Sequence, residues 1–189
     1  MEIPVLDKQK MTYEEYYKLD DGNLYQLIEG ELIMSPAPSY EHQKIHRSIS
    51  FIIMKYLAEN NIGELLYAPA DVILDENNTF QPDLFIILNE NKDIIKHKGV
   101  FGTPDIIFEI LSPASVMTDR HKKFDIYEKY GVKEYWLIDH NNQAIEVFAL
   151  KDKKFYLFSS GALKGKVKSK IMKDFEIDIS AIFPANDEN

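Results

Sequence analysis

The 189-residue sequence contains no cysteine. The chain can therefore form neither a disulfide nor a thiolate metal site, which fits the cytoplasm as its location. No apolar run approaches the roughly 20 residues that a membrane-spanning helix needs. The first residues show no basic stretch followed by an apolar segment, so we expect neither a signal peptide nor a membrane partner.

Positive charge is also scarce, because 22 lysines and arginines face 31 aspartates and glutamates and give a net charge of -9. Phosphate contacts draw on lysine and arginine, so this balance argues against a protein that coats DNA without sequence preference. An enzyme needs positive charge only at its site, where bound metal ions offset acidic side chains. An enzyme that contacts a short piece of nucleic acid therefore stays open.

Apolar residues make up 45% of the chain and aromatic residues 12%, which is enough for a folded core and too much for a disordered protein. The length suggests a single domain over residues 1–189, with a core from about 12 to 183. The polar end at 184–189 is expected to be frayed.

Capping signals and apolar periodicity predict three helices. They run from Thr12 to about Asp20, from Ser39 to about Asn60, and from Met117 or Thr118 to Tyr130. The longest helix has an isoleucine-rich face that should pack on a sheet. Gly131 should end the third helix, because glycine readily adopts the left-handed conformation found after helix ends.

The strand pattern predicts an α/β fold. Apolar runs at residues 84–88 and 106–108 do not alternate with polar residues, which indicates strands buried on both faces. Residues 89–102 are polar and predict a loop with one helical turn. Further strands are expected at 24–29, 31–34, 64–68, 71–74, 134–139, 144–150, 155–159 and twice beyond 166. The order of elements favours a mixed central β-sheet flanked by helices, with extra β-hairpins.

Two carboxylates stand in apolar surroundings that do not explain them. Asp83 follows Pro82 at a strand start, and Glu109 lies within a run of isoleucine, phenylalanine and leucine. A buried ionised carboxylate costs several kcal/mol unless a partner or a metal neutralises it. In the structural alternative, Asp83 caps a turn and Glu109 pairs with a basic core residue. The next helix carries Lys123, however, and two carboxylates with a lysine suit metal-assisted phosphodiester hydrolysis.

Asp105 is a second aspartate that follows a proline, and its spacing excludes it from this group. It lies four residues before Glu109 on the same strand. At about 3.3 Å per residue the two are roughly 13 Å apart, which is too far to share a metal. Asp105 is therefore expected to be a strand-end residue.

Several motifs together resemble one known group of proteins. They are Glu31–Pro38, Glu41-His42-Gln43, Gln81–Asp83, Glu109–Pro113, Asp119-Arg-x-x-Lys123, Tyr127 and Gly131–Asp139. Taken over residues 12–183, this set is similar to the Uma-type restriction endonuclease branch of the PD-(D/E)XK nuclease superfamily. The resemblance implies a restriction-endonuclease-like core, DNA as substrate and Mg²⁺ as cofactor. Mn²⁺ as a substitute for Mg²⁺ and a homodimer are further expectations.

The resemblance also implies roles for individual residues. Asp83, Glu109 and the backbone carbonyl of Ile110 would bind the metal. In the superfamily a lysine stands two residues after the second acid, where this chain has Leu111. In the branch the lysine has moved to the next helix, where Lys123 matches it and Lys122 would face solvent.

The branch often carries an acid where this chain has Gln26. Glu31 is therefore expected to complete the acidic cluster as the third carboxylate. Gln81 and Tyr127 are accessory candidates.

His42 and His46 lie four residues apart and share one face of the long helix. His42 is the third accessory candidate and is expected at the mouth of the acidic site, with His46 on the surface. A zinc hydrolase that uses both is a weak alternative, because Gln43 stands where a His-Glu-x-x-His motif needs glutamate.

The alternative from another functional class is a protein without catalytic activity. It would keep the nuclease fold and serve in protein interaction or nucleic-acid binding. The acidic composition and the displaced lysine favour it. The intact set of Asp83, Glu109 and Lys123 disfavours it, because buried charges of this kind are costly to keep.

Overall fold

A computed structural model describes residues 10–183, so the predicted polar end at 184–189 lies outside the described part. The α-helices are α1 (Tyr13–Tyr16), α2 (Tyr40–Asn60), α3 (Phe124–Tyr130) and α4 (Ile179–Ile182). A 3₁₀ helix spans Asn89–Ile94, and a π-helical turn at Thr118–Lys123 leads directly into α3. None of the helices in this range is long and apolar enough to cross a membrane.

The strands lie in two large sheets and one small pair. In chain order they are β1 (Tyr25–Ile28), β2 (Glu31–Met34), β3 (Gly63–Tyr67), β4 (Val72–Asp75), β5 (Asn78–Phe80), β6 (Leu84–Leu88), β7 (Ile95–Lys96), β8 (Gly99–Phe101), β9 (Ile106–Leu111), β10 (Glu134–Asp139), β11 (Ala144–Lys151), β12 (Lys154–Ala162), β13 (Lys166–Lys168) and β14 (Glu176–Asp178). The central sheet has the order β12-β11-β10-β9-β6-β3, and the second large sheet has the order β2-β1-β5-β4-β8-β7.

The central sheet is mixed, as the sequence predicted. Strands β9 and β10 run parallel, whereas the other neighbours in this sheet are antiparallel. Its inner strands β6, β9 and β10 are buried on both faces, which explains their unbroken apolar runs. In β6, Leu84 and Ile86 pack toward α2, while Phe85 and Ile87 pack toward α3 and the second large sheet.

Helix α2 confirms the expected long helix and covers one face of the central sheet. The Ser39 hydroxyl accepts a hydrogen bond from the His42 amide at 3.2 Å and caps its first turn. Its buried face carries Ile45, Ile49 and Ile53. Asn61 takes a left-handed conformation and ends it.

The segment expected to be a loop contains more structure than its composition indicates. The 3₁₀ helix is followed by β7 and β8, and β8 pairs parallel with β4. Such short strands are held by their partners rather than by their own propensity. A polar sequence therefore does not reveal them.

Candidate active site

Asp83 and Glu109 lie on the same face of the central sheet. Asp83 immediately precedes β6, and Glu109 is the fourth residue of β9, the neighbouring strand. Side chains alternate along a strand, so Glu109 projects with Ile107 and Leu111 toward α3. The Ile110 amide donates a 2.7 Å hydrogen bond to Asp83 Oδ2. Strand pairing thus sets the two carboxylates side by side.

Helix α3 and the preceding π-helical turn bring Lys123 and Tyr127 onto Glu109. Glu109 Oε1 accepts hydrogen bonds from Lys123 Nζ at 2.9 Å and from the Tyr127 hydroxyl at 3.1 Å. Glu109 is only 3% exposed and Lys123 only 4%. Phe124 packs between Tyr135, Phe148 and Phe155 and fixes the rotation of the helix.

Burial and the neighbouring charges set the protonation of these groups. Burial raises the pKa of Glu109, and the positive charge of Lys123 opposes that rise. Burial alone would lower the pKa of Lys123, but Glu109 and Asp119 outweigh it and hold that pKa above its ordinary value. Burial and the nearby Glu109 charge raise the pKa of Tyr127 well above 10.0. The lysine therefore stays an ammonium and the tyrosine stays a hydrogen-bond donor at neutral pH.

Asp119 is a site residue that the sequence reasoning did not select. Its side chain is buried, and its Oδ1 lies 3.0 Å from Lys123 Nζ. It lines the same cleft as Asp83 and Glu109. The spacing of four residues between Asp119 and Lys123 was the available signal, since residues so spaced share a helix face.

Two histidines of α2 contact Asp83. His42 Nε2 lies 3.1 Å from Asp83 Oδ2, and His46 Nε2 lies 3.1 Å from the Asp83 backbone oxygen. The His46 ring also meets Tyr67 edge to face, with centroids 5.7 Å apart. The expectation of His46 on the surface is therefore wrong, because α2 turns both rings toward the segment before β6.

The acidic group opens into a cleft of about 640 Å³. Its floor is formed by Asp83, Glu109, Asp119 and Lys123. Its walls are mostly apolar and include Leu24, Pro36, Tyr67, Pro69, Pro113 and Ala114. The group is thus buried within the protein yet reachable from solvent on one side.

Gln26, rather than Glu31, faces the cleft from the β1–β2 hairpin. Gln26 Oε1 accepts a 3.2 Å hydrogen bond from the backbone amide of Gln81, and both glutamines line the cleft. Glu31 is exposed and pairs with Lys122 Nζ at 3.4 Å. The turn end of the hairpin carries Glu31 away from the cleft, whereas the Ser35 end approaches it. The structure does not bring Glu31 into the acidic cluster.

Asp105 lies at the other end of β9 and is fully engaged there. Its carboxylate accepts hydrogen bonds from the Leu88 amide at 2.7 Å and from Asn91 Nδ2 at 2.8 Å. Lys133 Nζ lies 2.8 Å from Oδ1. These contacts agree with the expectation of a strand-end residue.

The chemistry of the donor set fits a magnesium ion. Within residues 10–183, no three or more histidine, aspartate or glutamate side chains are arranged to hold a metal by themselves. Mg²⁺ typically takes one or two carboxylates and keeps several waters, so Asp83 and Glu109 suffice. In this range, Asp83 Oδ1 and Glu109 Oε2 accept no hydrogen bond from the protein. Glu109 and Asp119 both contact Lys123, and Asp83 lines the same cleft, so three carboxylates accompany one lysine and a cation could offset the remaining negative charge.

Comparison with known proteins places these features in a wider group. The model of the Uma2 family, described as "Putative restriction endonuclease", matches residues 13–179. The "Uncharacterized protein sll1609" of Synechocystis sp. (strain ATCC 27184 / PCC 6803 / Kazusa) is 24% identical over 132 residues, which cover 68% of this chain and 75% of that protein.

A crystal structure from Anabaena variabilis ATCC 29413, described as "a putative nuclease belonging to DUF820", superposes with a TM-score of 0.76. The match has 21% sequence identity and covers 92% of this chain and 97% of that one. At this identity the likeness establishes the fold, and it confirms the predicted restriction-endonuclease-like architecture.

Proposed function

The chain belongs to the Uma2 family, and from this premise we propose that it is a Mg²⁺-dependent endonuclease that hydrolyses phosphodiester bonds of DNA. One observation carries the proposal. The buried Lys123–Glu109 pair, 2.9 Å apart, lies beside Asp83 at the floor of an open cleft. A structural ion pair would need neither the cleft nor the second and third carboxylates.

Each residue of the group has a role in this proposal. Asp83 and Glu109 would hold Mg²⁺, which when bound lowers the pKa of a coordinated water and offsets charge on the phosphate. Lys123 would direct its ammonium at the attacking water or at a phosphate oxygen. Its pKa, which Glu109 and Asp119 raise, suits this donor role.

Neighbouring groups would orient the two metal ligands. The Tyr127 hydroxyl fixes one oxygen of Glu109, and the Ile110 amide with His42 fixes one oxygen of Asp83. These hydrogen bonds hold Asp83 Oδ2 and Glu109 Oε1, and they thereby orient the other oxygen of each carboxylate toward the metal position. Such supporting contacts typically change metal affinity or activity by about 10- to 100-fold when removed.

The cleft wall indicates how the substrate would be held. Among the described lining residues, Lys123 is the one lysine, and no arginine is present. Affinity would therefore come from the metal and from contacts with walls such as Leu24 and Tyr67, with few phosphate contacts. We propose that the enzyme contacts a short stretch of DNA. A homodimer and a cytoplasmic location remain predictions.

Metal titration and a cleavage panel together test this function. Calorimetric titration with Mn²⁺ should show binding to the wild-type protein and strongly weakened binding to Asp83→Asn. Plasmid DNA and labelled DNA and RNA oligonucleotides should then be incubated with Mg²⁺ or Mn²⁺. We expect DNA cleavage that requires the metal and is lost in Asp83→Asn. Metal binding without cleavage of any substrate would instead favour an inactive protein that keeps the fold.

A further inference from the structure

We propose that Asp119 is a positioning residue, which holds the Lys123 ammonium in the cleft when Glu109 ligates a metal. The inference rests on the proposed function and gives a role to Asp119, which belongs to the Asp119-Arg-x-x-Lys123 motif but has no role assigned by the family description. Its starting point is an imbalance of charge, since one buried lysine lies between two buried carboxylates.

The geometry of the imbalance is specific. Lys123 Nζ lies 2.9 Å from Glu109 Oε1 and 3.0 Å from Asp119 Oδ1. The hydrogen bond to Glu109 is well formed, whereas buried Asp119 Oδ1 accepts no hydrogen bond of good geometry from residues 10–183 despite its closeness to Lys123. Asp119 is therefore near enough to take the ammonium, and its hydrogen-bonding capacity is only partly used.

A second buried carboxylate, that of Asp119, destabilises the fold unless another group offsets its charge. One lysine neutralises one carboxylate, so the charge of the other stays unneutralised within the protein. Lys123 Nζ lies within reach of both Glu109 and Asp119. If Glu109 ligated a metal, the ammonium would lose part of its contact with Glu109. Asp119 would then hold the Lys123 ammonium in place and leave Glu109 free for the metal.

Asp119 is held firmly enough to act as an anchor. Its backbone carbonyl accepts a 3.1 Å hydrogen bond from the Tyr135 hydroxyl, and its amide donates to the Ser115 carbonyl at 2.8 Å. The next residue, Arg120, is bound to Glu146 at 2.5 Å and to Asp139 at 3.5 Å. These contacts fix the π-helical turn on both sides, and such turns occur frequently at functional sites.

A double-mutant cycle on Mn²⁺ affinity tests the inference. Calorimetry would compare the wild type, Asp119→Asn, Lys123→Gln and the double variant, with folding checked by circular dichroism. We expect Asp119→Asn alone to weaken Mn²⁺ binding by roughly 10-fold, because Lys123 then stays on Glu109. In the Lys123→Gln background the same change should have a much smaller effect, limited to the loss of one nearby negative charge. Asp125→Asn, an exposed aspartate of α3, should match the wild type.

The other outcomes overturn the inference in distinct ways. An equal loss of affinity in both backgrounds would make Asp119 a direct ligand, and an unchanged affinity of Asp119→Asn would leave it without a role. A wild-type protein that binds no Mn²⁺ would refute the proposed function itself.

If Lys123→Gln does not fold, the anomalous signal of Mn²⁺ in wild-type crystals decides. An ion within about 2.0–2.6 Å of Asp119 contradicts the inference. An ion bound by Asp83 and Glu109, with Lys123 Nζ hydrogen-bonded to Asp119, supports it.

Discussion

Two fully buried tyrosines offer a matched pair of substitutions at the site. The Tyr127 hydroxyl donates to the Glu109 carboxylate at 3.1 Å, and the Tyr135 hydroxyl donates to the Asp119 backbone carbonyl at the same distance. Their rings pack against each other with centroids 5.2 Å apart. Replacing either by phenylalanine removes one hydroxyl and leaves the ring packing intact.

The two changes should differ because the acceptors differ. A hydrogen bond to a charged group contributes about 1.5–3 kcal/mol, and one between neutral groups about 0.5–1.5 kcal/mol. Glu109 Oε1 retains Lys123 after Tyr127→Phe, so we expect a loss of about 2 kcal/mol. Tyr135→Phe should cost about 1 kcal/mol, because its backbone acceptor is uncharged.

Urea unfolding followed by tryptophan fluorescence measures this difference. With a urea dependence of about 2 kcal/mol per M, the midpoint should fall by roughly 1 M for Tyr127→Phe and by half as much for Tyr135→Phe. Equal shifts, or a larger shift for Tyr135→Phe, would show that no negative charge on Glu109 strengthens the hydrogen bond from Tyr127. The assigned electrostatics of the Lys123–Glu109 pair would then be wrong.

Three further changes probe other parts of the chain. Burial raises the pKa of Asp71 above 3.8, although the hydrogen bonds from Gln81 and Tyr16 oppose this rise. The folded state therefore binds more protons than the unfolded state, and stability falls as the pH rises through the raised pKa. When the pH is raised from about 4, the Asp71→Asn variant should lose less stability than the wild type, as measured by urea unfolding. Gln26→Glu should strengthen Mn²⁺ binding several-fold in calorimetry, because it adds a carboxylate to the cleft wall. Gly131→Ala should cost about 1 kcal/mol in urea unfolding, since its φ is 84° and the added methyl would meet no neighbour among residues 10–183.

The long elements were predictable because several local signals agreed. Ser39, the isoleucine face of α2 and Asn61 indicate one helix, and the structure forms it. The two-sided burial of β6 and β9 follows in the same way from their unbroken apolar runs. Asp83 and Glu109 could be selected because each is a charge that its apolar surroundings do not explain. Lys123 could be selected because it matches the lysine that stands on the next helix in the Uma-type branch.

The remaining features depend on contacts between distant segments. Glu31 and Gln26 are both polar residues of one hairpin, and only its placement over the cleft decides which of them faces Asp83. The π-helical turn depends on Tyr135 and Arg120 contacts that no local propensity encodes. Asp119 lies in the first turn of this π-helical segment and is buried, although its neighbours in the sequence are mostly charged or polar.

The central claim is that Lys123 acts on the substrate side of a metal held by Asp83 and Glu109. The most direct measurement is Mg²⁺-dependent DNA cleavage by Lys123→Ala and by its neighbour Lys122→Ala, with Mn²⁺ affinity measured in parallel. Lys122 is an exposed control, because its side chain pairs with Glu31 away from the cleft. We predict that Lys123→Ala abolishes cleavage while Mn²⁺ binding largely persists, and that Lys122→Ala cleaves nearly as well as the wild type. Cleavage that survives Lys123→Ala in a folded, metal-binding preparation would contradict the account.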